Sequence, residues 1–209
     1  MSTDLHHADR ENRRVSTQKY HHGNLRAVIL EDAIATVETA GPQSLSLRQL
    51  AKNAGVSSTA TYSHFKTKRE LLAALATVGF QRLYEALQVC HVEEDDPSQG
   101  LQRVMETMVC FAIENPGLYS LMFGQEISGY EDSVELWESM SSTYTALENS
   151  VRKTKSGLSA ENAVQMATYA CWSKAHGLAL LMLNEKIGVE EGNTGARREL
   201  IRTILSFPV

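Results

Sequence analysis

Several features that would mark particular kinds of protein are scarce in this chain of 209 residues. Its three cysteines, Cys90, Cys110 and Cys171, are scattered, which favours reduced, partly buried thiols over a disulfide framework. No apolar run approaches the roughly 20 residues that a membrane span needs. The N-terminal residues also lack the apolar core of a signal peptide. We therefore expect a cytoplasmic protein.

Signatures of catalysis are equally scarce. The chain has no nucleophile motif, no phosphate-binding loop and no His, Cys and carboxylate set at metal-ligand spacing. Histidines are adjacent at positions 6–7 and 21–22, but neighbouring side chains point apart, and no Cys or carboxylate completes a ligand set. An enzyme is therefore not predicted, and neither a metal nor a cofactor is expected.

Positive charge is scarce overall but concentrated in one region. The formal net charge of -5 would disfavour a polyanionic partner if it were spread evenly. Between Arg10 and Arg69, however, the chain has ten Lys/Arg and four Asp/Glu, which gives a net charge of +6. Between Leu83 and Val209, nine Lys/Arg face eighteen Asp/Glu, a net charge of -9. A polyanion would therefore be attracted to one part of the molecule.

Residues 46–65 have the pattern of a helix, a tight turn and a second helix. Ser46 and Gln49 form a capping box at the start of the first helix. Gly55 ends that helix, because glycine adopts the left-handed conformation without steric cost, and Ser57 can cap the second helix. The apolar stripe of the first helix comprises Leu47, Leu50, Ala51 and Ala54.

The second helix of this pair carries small hydroxyls, a methyl group, a phenol and an imidazole over residues 58–64. Such side chains suit a helix that lies against base edges and phosphates, where bulky groups would hold the backbone away. The stretch therefore predicts a DNA-binding helix-turn-helix.

This stretch resembles the DNA-binding domain of the TetR/AcrR family of transcriptional regulators. The shared pattern is S-L-R-x-L-A-x-x-A-G-V-S-x-x-x-x-Y-x-H-F-x-x-K-x-x-L-L. One position departs from it: the family usually has an inward-packing apolar residue where this chain has Thr61. The matching residues are Ser46, Leu47, Arg48, Leu50, Ala51, Ala54, Gly55, Val56, Ser57, Tyr62, His64, Phe65, Lys68, Leu71 and Leu72.

The resemblance implies an all-α fold of about nine helices. A helix-turn-helix DNA-binding domain at residues 21–68, built from three helices, would be joined by a long helix to a larger effector-binding and dimerisation domain at 69–209. Residues 1–20 are basic, and they are either a disordered terminus or an arm that touches DNA.

The same resemblance implies a bacterial, homodimeric repressor that binds double-stranded operator DNA and leaves it when a small effector binds. A largely apolar effector is expected, because the C-terminal half offers few candidate buried charges. Such a protein is cytoplasmic and associates with the nucleoid when it is on DNA. An alternative is a DNA-binding regulator without a small effector, which is constitutive or controlled by a protein partner.

Nine residues are expected to contact DNA, either at base edges or at phosphates. The base-edge group comprises Ser58, Thr59, Ala60 and Thr61. The phosphate group comprises Arg48, Tyr62, His64, Lys66 and Lys68.

Helical periodicity and caps organise the rest of the chain. A first helix is expected from Leu25 to about residue 40. A second capping box, Thr67 with Glu70, predicts a long helix that follows the helix-turn-helix closely and runs to about Cys90. Further helices are predicted at about residues 97–114, 118–123, 133–153, 160–184 and 194–206.

The segment from Trp172 to Gly177 resembles the W-x-x-x-H-G motif of one large subgroup of the family. His176 shares a helix face with Trp172, and Gly177 would permit close helix approach. His176 is either a hydrogen-bonded core residue or a polar anchor for the effector. The predicted effector pocket comprises Met105, Met108, Phe111, Phe123, Trp137, Tyr144, Tyr169, Trp172 and His176.

Dimerisation is expected because one short recognition helix buries too little surface for specific binding, whereas a twofold dimer reads two half-sites. The last two helices carry more apolar surface than one chain need bury. The predicted interface comprises Leu178, Leu181, Met182, Leu200, Ile201, Ile204 and Leu205.

Overall fold

A computed structural model describes residues 25–90, 96–129, 133–154, 160–189 and 192–207. The predicted basic arm at residues 1–20 and both histidine pairs lie outside these ranges. The described residues form nine α-helices and two short 3-10 helices, without strands, which confirms the all-α prediction. The helices are α1 Leu25–Ala40, α2 Leu47–Asn53, α3 Ser58–His64, α4 Lys68–Cys90, α5 Pro97–Glu114, α6 Pro116–Met122, α7 Val134–Thr154, α8 Glu161–Leu183 and α9 Thr194–Ser206.

The chain divides into an N-terminal unit, Met1–Leu72, and a C-terminal unit, Ala73–Val209. In the N-terminal unit, α1, α2 and α3 pack against one another. The apolar stripe of α1 is buried, and Leu50 and Phe65 are each 2% exposed. That stripe comprises Leu25, Ile29, Ala33 and Val37.

Local signals set the ends of α2 as expected. The backbone N–H of Gln49 donates to Ser46 Oγ at 3.5 Å, and Gly55 has a φ of +67°. The second half of the capping box differs from the prediction, because the Gln49 amide donates to Asn53 Oδ1 at 2.8 Å. Asn53 in turn donates to Asp32 Oδ2 at 2.9 Å, which ties α2 to α1.

A tight joint links α3 to α4. Thr67 Oγ1 accepts the backbone N–H of Glu70 at 3.1 Å, and Glu70 Oε2 accepts the backbone N–H of Lys66 at 2.7 Å. The predicted capping box is therefore present, with Lys66 rather than Thr67 as the second backbone donor. Because α4 runs from Lys68 to Cys90, it belongs to both units.

In the C-terminal unit, α5 packs against α6, α7, α8 and α9. The middle of α4 makes two close contacts there. A Cβ atom at Gly79 would lie 2.5 Å from Met122 Sδ, so α4 and α6 approach each other closely. Thr143 of α7 donates its hydroxyl to the Phe80 carbonyl at 3.2 Å. None of the helices within the described ranges is long and apolar enough to cross a membrane.

Candidate nucleic-acid interface and effector site

The outer face of α3 is made of small polar side chains. Ser58, Thr59 and His64 are exposed, and Tyr62 is 41% exposed. The helix starts at a cap in which the backbone N–H of Ala60 donates to Ser57 Oγ at 3.2 Å. This arrangement leaves the side chains of α3 free to meet a surface.

The inner end of α3 is anchored by an aromatic ring. Phe65 follows the helix and is buried, and the guanidinium carbon of Arg26 lies 5.4 Å from its ring centroid. An arginine in this position is attracted to the ring face. The contact ties the start of α1 to the end of the recognition helix.

Thr61 does not belong to the base-reading set. Its side chain is 0% exposed, so it points into the N-terminal unit and cannot reach a base edge. Its Oγ1 has no hydrogen-bond partner among the described residues. The prediction was wrong because Thr61 occupies the inward position of α3 where an apolar residue is usual.

The predicted phosphate ligands differ in what they contact. Arg48 and Lys66 are exposed. Lys68 Nζ donates to the Gln43 carbonyl at 2.8 Å, so it braces the turn before α2. An ammonium group has three donors, and two remain for another acceptor.

Seven rings gather in the C-terminal unit and are called the aromatic cluster below. Phe123 lies at its centre, with ring centroids 5.4 Å from Phe80, 4.8 Å from Tyr119 and 6.0 Å from Trp172. Tyr144 extends the cluster, 6.1 Å from Trp172. The members are Phe80, Tyr119, Phe123, Tyr144, Tyr169, Trp172 and His176.

His176 makes a hydrogen bond inside this cluster. Its Nδ1 lies 2.8 Å from the Tyr119 hydroxyl. Burial raises the pKa of Tyr119 and lowers the pKa of His176, so the phenol keeps its proton and the imidazole is neutral. Which of the two atoms donates depends on the tautomer of His176, because a neutral imidazole carries its proton on either ring nitrogen. Within this chain His176 is half-buried and lies within hydrogen-bond distance of Tyr119.

Tyr119 and Phe80 were missed in the sequence. Both are 0% exposed. Tyr119 stands in an apolar run, and its helical spacing to Met122 and Phe123 was the available signal. The hydrogen bond to His176 spans 57 positions and leaves no local trace in the sequence.

The structure brings together only part of the predicted effector pocket. Phe123, Tyr144, Tyr169, Trp172 and His176 meet in the aromatic cluster, as defined above. Trp137 does not join it, because this side chain is 61% exposed at a groove beside Tyr84. Met105 and Met108 are buried on α5, and Phe111 lines a separate groove against α9.

Some of the predicted dimer residues are buried within the single chain, and others are exposed or half-buried. Leu178, Ile201 and Leu205 are 4%, 1% and 3% exposed within the single chain, so they form its core rather than an interface. Leu181 is 43% exposed. Met182, Leu200 and Ile204 are half-buried.

Further apolar surface lies on α8. Met166 is 56%, Tyr169 48% and Leu180 38% exposed. Gly177 stands on the same helix, and a Cβ atom there would meet nothing within 4 Å in this chain. The close approach expected at Gly177 is therefore absent within the described part of the chain.

An exposed, capped helix of small polar side chains after a tight turn, carried by a basic region, defines a helix-turn-helix DNA-binding protein. Two family models agree with this class. Residues 29–75 match "Bacterial regulatory proteins, tetR family", and residues 101–204 match "Tetracyclin repressor-like, C-terminal domain". The chain belongs to the TetR family of bacterial regulatory proteins. Members of this family are regulators, and the chain is not an enzyme.

Similar proteins include the nucleoid occlusion factor SlmA of Marinobacter nauticus, which is 27% identical over 128 residues. That match covers 61% of this chain and 65% of SlmA, less than two thirds of the relative's length. A protein of unknown function from Rhodococcus sp. RHA1 is similar in structure, with a TM-score of 0.72 and 29% identity. The likeness covers 89% of this chain and 97% of that one.

The transcriptional regulator FadR from Bacillus subtilis, solved in complex with stearoyl-CoA, has a TM-score of 0.66 and 15% identity. The match covers 86% of this chain and 97% of the FadR chain. This likeness concerns the fold alone.

Proposed function

We propose that this regulator is a homodimeric repressor that leaves its operator when a small, largely apolar effector binds the C-terminal unit. The observation that carries the proposal is the face of α3, where Ser58, Thr59 and Ala60 are presented on a helix anchored by Phe65. Side chains this small let a helix backbone approach base edges in the major groove.

Contacts to DNA follow from this placement. Ser58, Thr59 and Ala60 would read base edges. The remaining group would hold phosphates and set the register of the helix on the duplex. That group comprises Arg48, Tyr62, His64, Lys66 and Lys68.

The aromatic cluster supports an effector site of neutral character. Its one titratable base, His176, is kept neutral by burial, which lowers its pKa. A neutral aromatic lining fits an apolar ligand that has one hydrogen-bonding group for the Nε2 atom of His176. FadR, whose fold is similar, was solved in complex with stearoyl-CoA.

A path from this cluster to DNA would run through α4. Phe123 contacts Phe80 of α4, and Gly79 beside it lies against Met122. A ligand that displaced Phe123 would therefore press on α4, which begins at Lys68 directly after α3. In a dimer, such a shift would change the separation of the two recognition helices and weaken operator binding.

A gel-shift titration with the DNA flanking the gene tests the DNA-binding part. Thr59→Val should change the preference between operator sequences, because it alters a base contact. Lys66→Gln should weaken all sequences alike and reduce the salt slope by about two units, one for each chain of the dimer. If both variants bind every sequence equally less well, the base-reading assignment of Thr59 is wrong.

A second candidate is a DNA-binding regulator without a small effector, controlled by a protein partner or constitutive. The packing of the aromatic cluster favours it, because Phe80 and Tyr119 are fully buried and Tyr119 is already bonded to His176. Operator release by a small apolar compound, abolished by Phe123→Ala, would exclude this candidate.

A further inference from the structure

A groove of about 490 Å³ lies between α5 and α9, away from the aromatic cluster. This volume is in the range of small-molecule sites. Phe111 and Ile201 form its floor and are 7% and 1% exposed, and Ala86 of α4 closes one side. The floor is therefore apolar.

Three guanidinium groups line the rim. Arg103 projects from α5, and Arg198 and Arg202 project from α9. Arg202 is paired with Glu106, with 3.2 Å between Nε and Oε1. Arg198 is exposed and has no ion pair with any described residue.

This concentration of positive charge is unusual for its surroundings. Between Leu83 and Val209 the chain has nine Lys/Arg and eighteen Asp/Glu. Three of those nine cations line one groove, against two carboxylates, Glu106 and Glu114. An acidic unit thus carries a local positive site above an apolar floor.

We propose that the α5–α9 groove binds an anionic amphiphile: a carboxylate or phosphate ester whose hydrocarbon body lies on Phe111 and Ile201 while its head contacts Arg103 and Arg198. Guanidinium groups pair with both kinds of head through two parallel hydrogen bonds. The hydrocarbon body gains by leaving water, in proportion to the apolar area that it buries.

The site is separate from the apolar surface proposed for the dimer. Ile201, Arg198 and Arg202 are the α9 residues that line the groove with α5. Leu200 and Ile204 occupy other positions of α9 and do not line it. A ligand in the groove would contact α5 and α9 together and so stabilise their packing.

Calorimetry on the full chain tests the chemistry, with decanoate and decyl phosphate as probes below their micelle concentrations. Both probes carry an anionic head, and the ratio of their dissociation constants shows which head is preferred. We expect one site per chain for at least one of them, weakened by salt. Decanol, which keeps the body without the charge, and acetate, which keeps the charge without the body, should each bind at least about tenfold more weakly.

Charge variants locate the site. Arg103→Gln and Arg198→Gln should each weaken binding about tenfold, because each removes a charge-assisted hydrogen bond. Lys153→Gln removes the same charge from an exposed position on α7 and should change binding less than twofold. Equal effects of all three variants, or binding of decanol as tight as that of decanoate, would overturn the proposal.

Cys110 supplies a readout that does not depend on substitution. It lines the groove and is half-buried, whereas Cys171 lies on α8 outside it. Burial and Glu114 raise the pKa of the Cys110 thiol, so alkylation is followed at alkaline pH by mass spectrometry. The bound probe should slow alkylation of Cys110 at least about fivefold and leave Cys171 unchanged, since only the first thiol is covered. If saturating probe leaves both rates unchanged, the ligand binds elsewhere.

Discussion

Thr61 places a hydroxyl at the buried position of α3. Its Oγ1 lacks a hydrogen-bond partner among the described residues, and an unpaired buried hydroxyl costs about 1–3 kcal/mol. Thr61→Val keeps the branched shape and removes the polar atom. We expect the variant to raise the free energy of unfolding of the N-terminal unit by about 1 kcal/mol.

Chemical denaturation followed by far-UV circular dichroism measures this change, because both tryptophans lie in the C-terminal unit and report only on it. Thr59→Val is the matched control. It makes the same substitution at an exposed position of the same helix and should shift stability by less than about 0.5 kcal/mol. Destabilisation by Thr61→Val would mean that the hydroxyl has a partner, such as a water molecule.

His176 makes the stability of the C-terminal unit depend on pH. Burial lowers its pKa in the folded chain below the ordinary 6.5. Between the two pKa values the unfolded chain binds a proton that the folded chain does not, so stability rises with pH there. We expect the free energy of unfolding to be highest above about pH 6.5 and to fall as the pH drops below it.

Denaturation monitored by tryptophan fluorescence at about pH 8 and about pH 5.5 measures this dependence. His176→Asn keeps an amide near the position of Nδ1 and removes the titrating ring. The decrease in the free energy of unfolding at low pH should therefore be smaller in this variant. His64→Gln removes an exposed imidazole from the N-terminal unit and should leave the fall unchanged. An equal fall in His176→Asn would show that other groups cause it.

Gly79 allows α4 to pack closely against α6. A Cβ atom there would lie 2.5 Å from Met122 Sδ and 3.1 Å from Leu118 Cγ, and both neighbours are buried. Gly79→Ala therefore requires the buried Met122 side chain, or α6 itself, to shift. We expect a loss of about 1–3 kcal/mol in the stability of the C-terminal unit, the usual range for overpacking.

Gly100→Ala is the control for Gly79→Ala. Gly100 lies in α5, and a Cβ atom there would meet nothing within 4 Å. Alanine should stabilise that helix by up to about 1 kcal/mol, since it loses less backbone entropy than glycine. Tryptophan fluorescence follows both variants. If both variants stabilise the protein, helix propensity outweighs the α4–α6 contact.

The ends of the elements could be predicted from the sequence because neighbouring residues determine them. Ser46, Gly55 and Thr67 act on backbone groups within a few positions, and each end lies where it was expected. The bounds of α1, α5 and α9 follow for the same reason.

The choice of buried face could not be predicted in this way. Leu200, Ile201, Ile204 and Leu205 are all apolar, so the pattern of α9 alone does not separate the two that α5 covers from the two that it leaves half-buried. The exposure of Trp137 could not be predicted either, because its environment depends on packing between helices distant in sequence.

One face of α8 is an exposed apolar patch. Met166, Tyr169, Leu180 and Leu181 expose apolar surface along one helix. Exposed apolar patches of this kind mark interaction sites. A second copy related by a twofold axis would bury the same patch on both chains. Gly177, in the middle of this helix, would let two such helices approach closely.

Leu181→Glu tests this interface, because it places a charge in the apolar patch of each chain. We expect the dimer to dissociate in sedimentation equilibrium, with a loss of about 2 kcal/mol or more, as for a central interface residue. The charge partition of the chain gives a second readout. A monomer carries one basic N-terminal unit rather than two, so operator affinity should fall and the salt slope of binding should drop to about half.

Val134→Glu is the matched control, since it places the same charge on a 65% exposed residue of α7. It should leave the dimer, the operator affinity and the salt slope unchanged. If Leu181→Glu stays dimeric with a full salt slope, the α8 face is not the interface. If it dissociates and still binds the operator as tightly, one recognition helix is sufficient and the twofold reading of DNA is wrong.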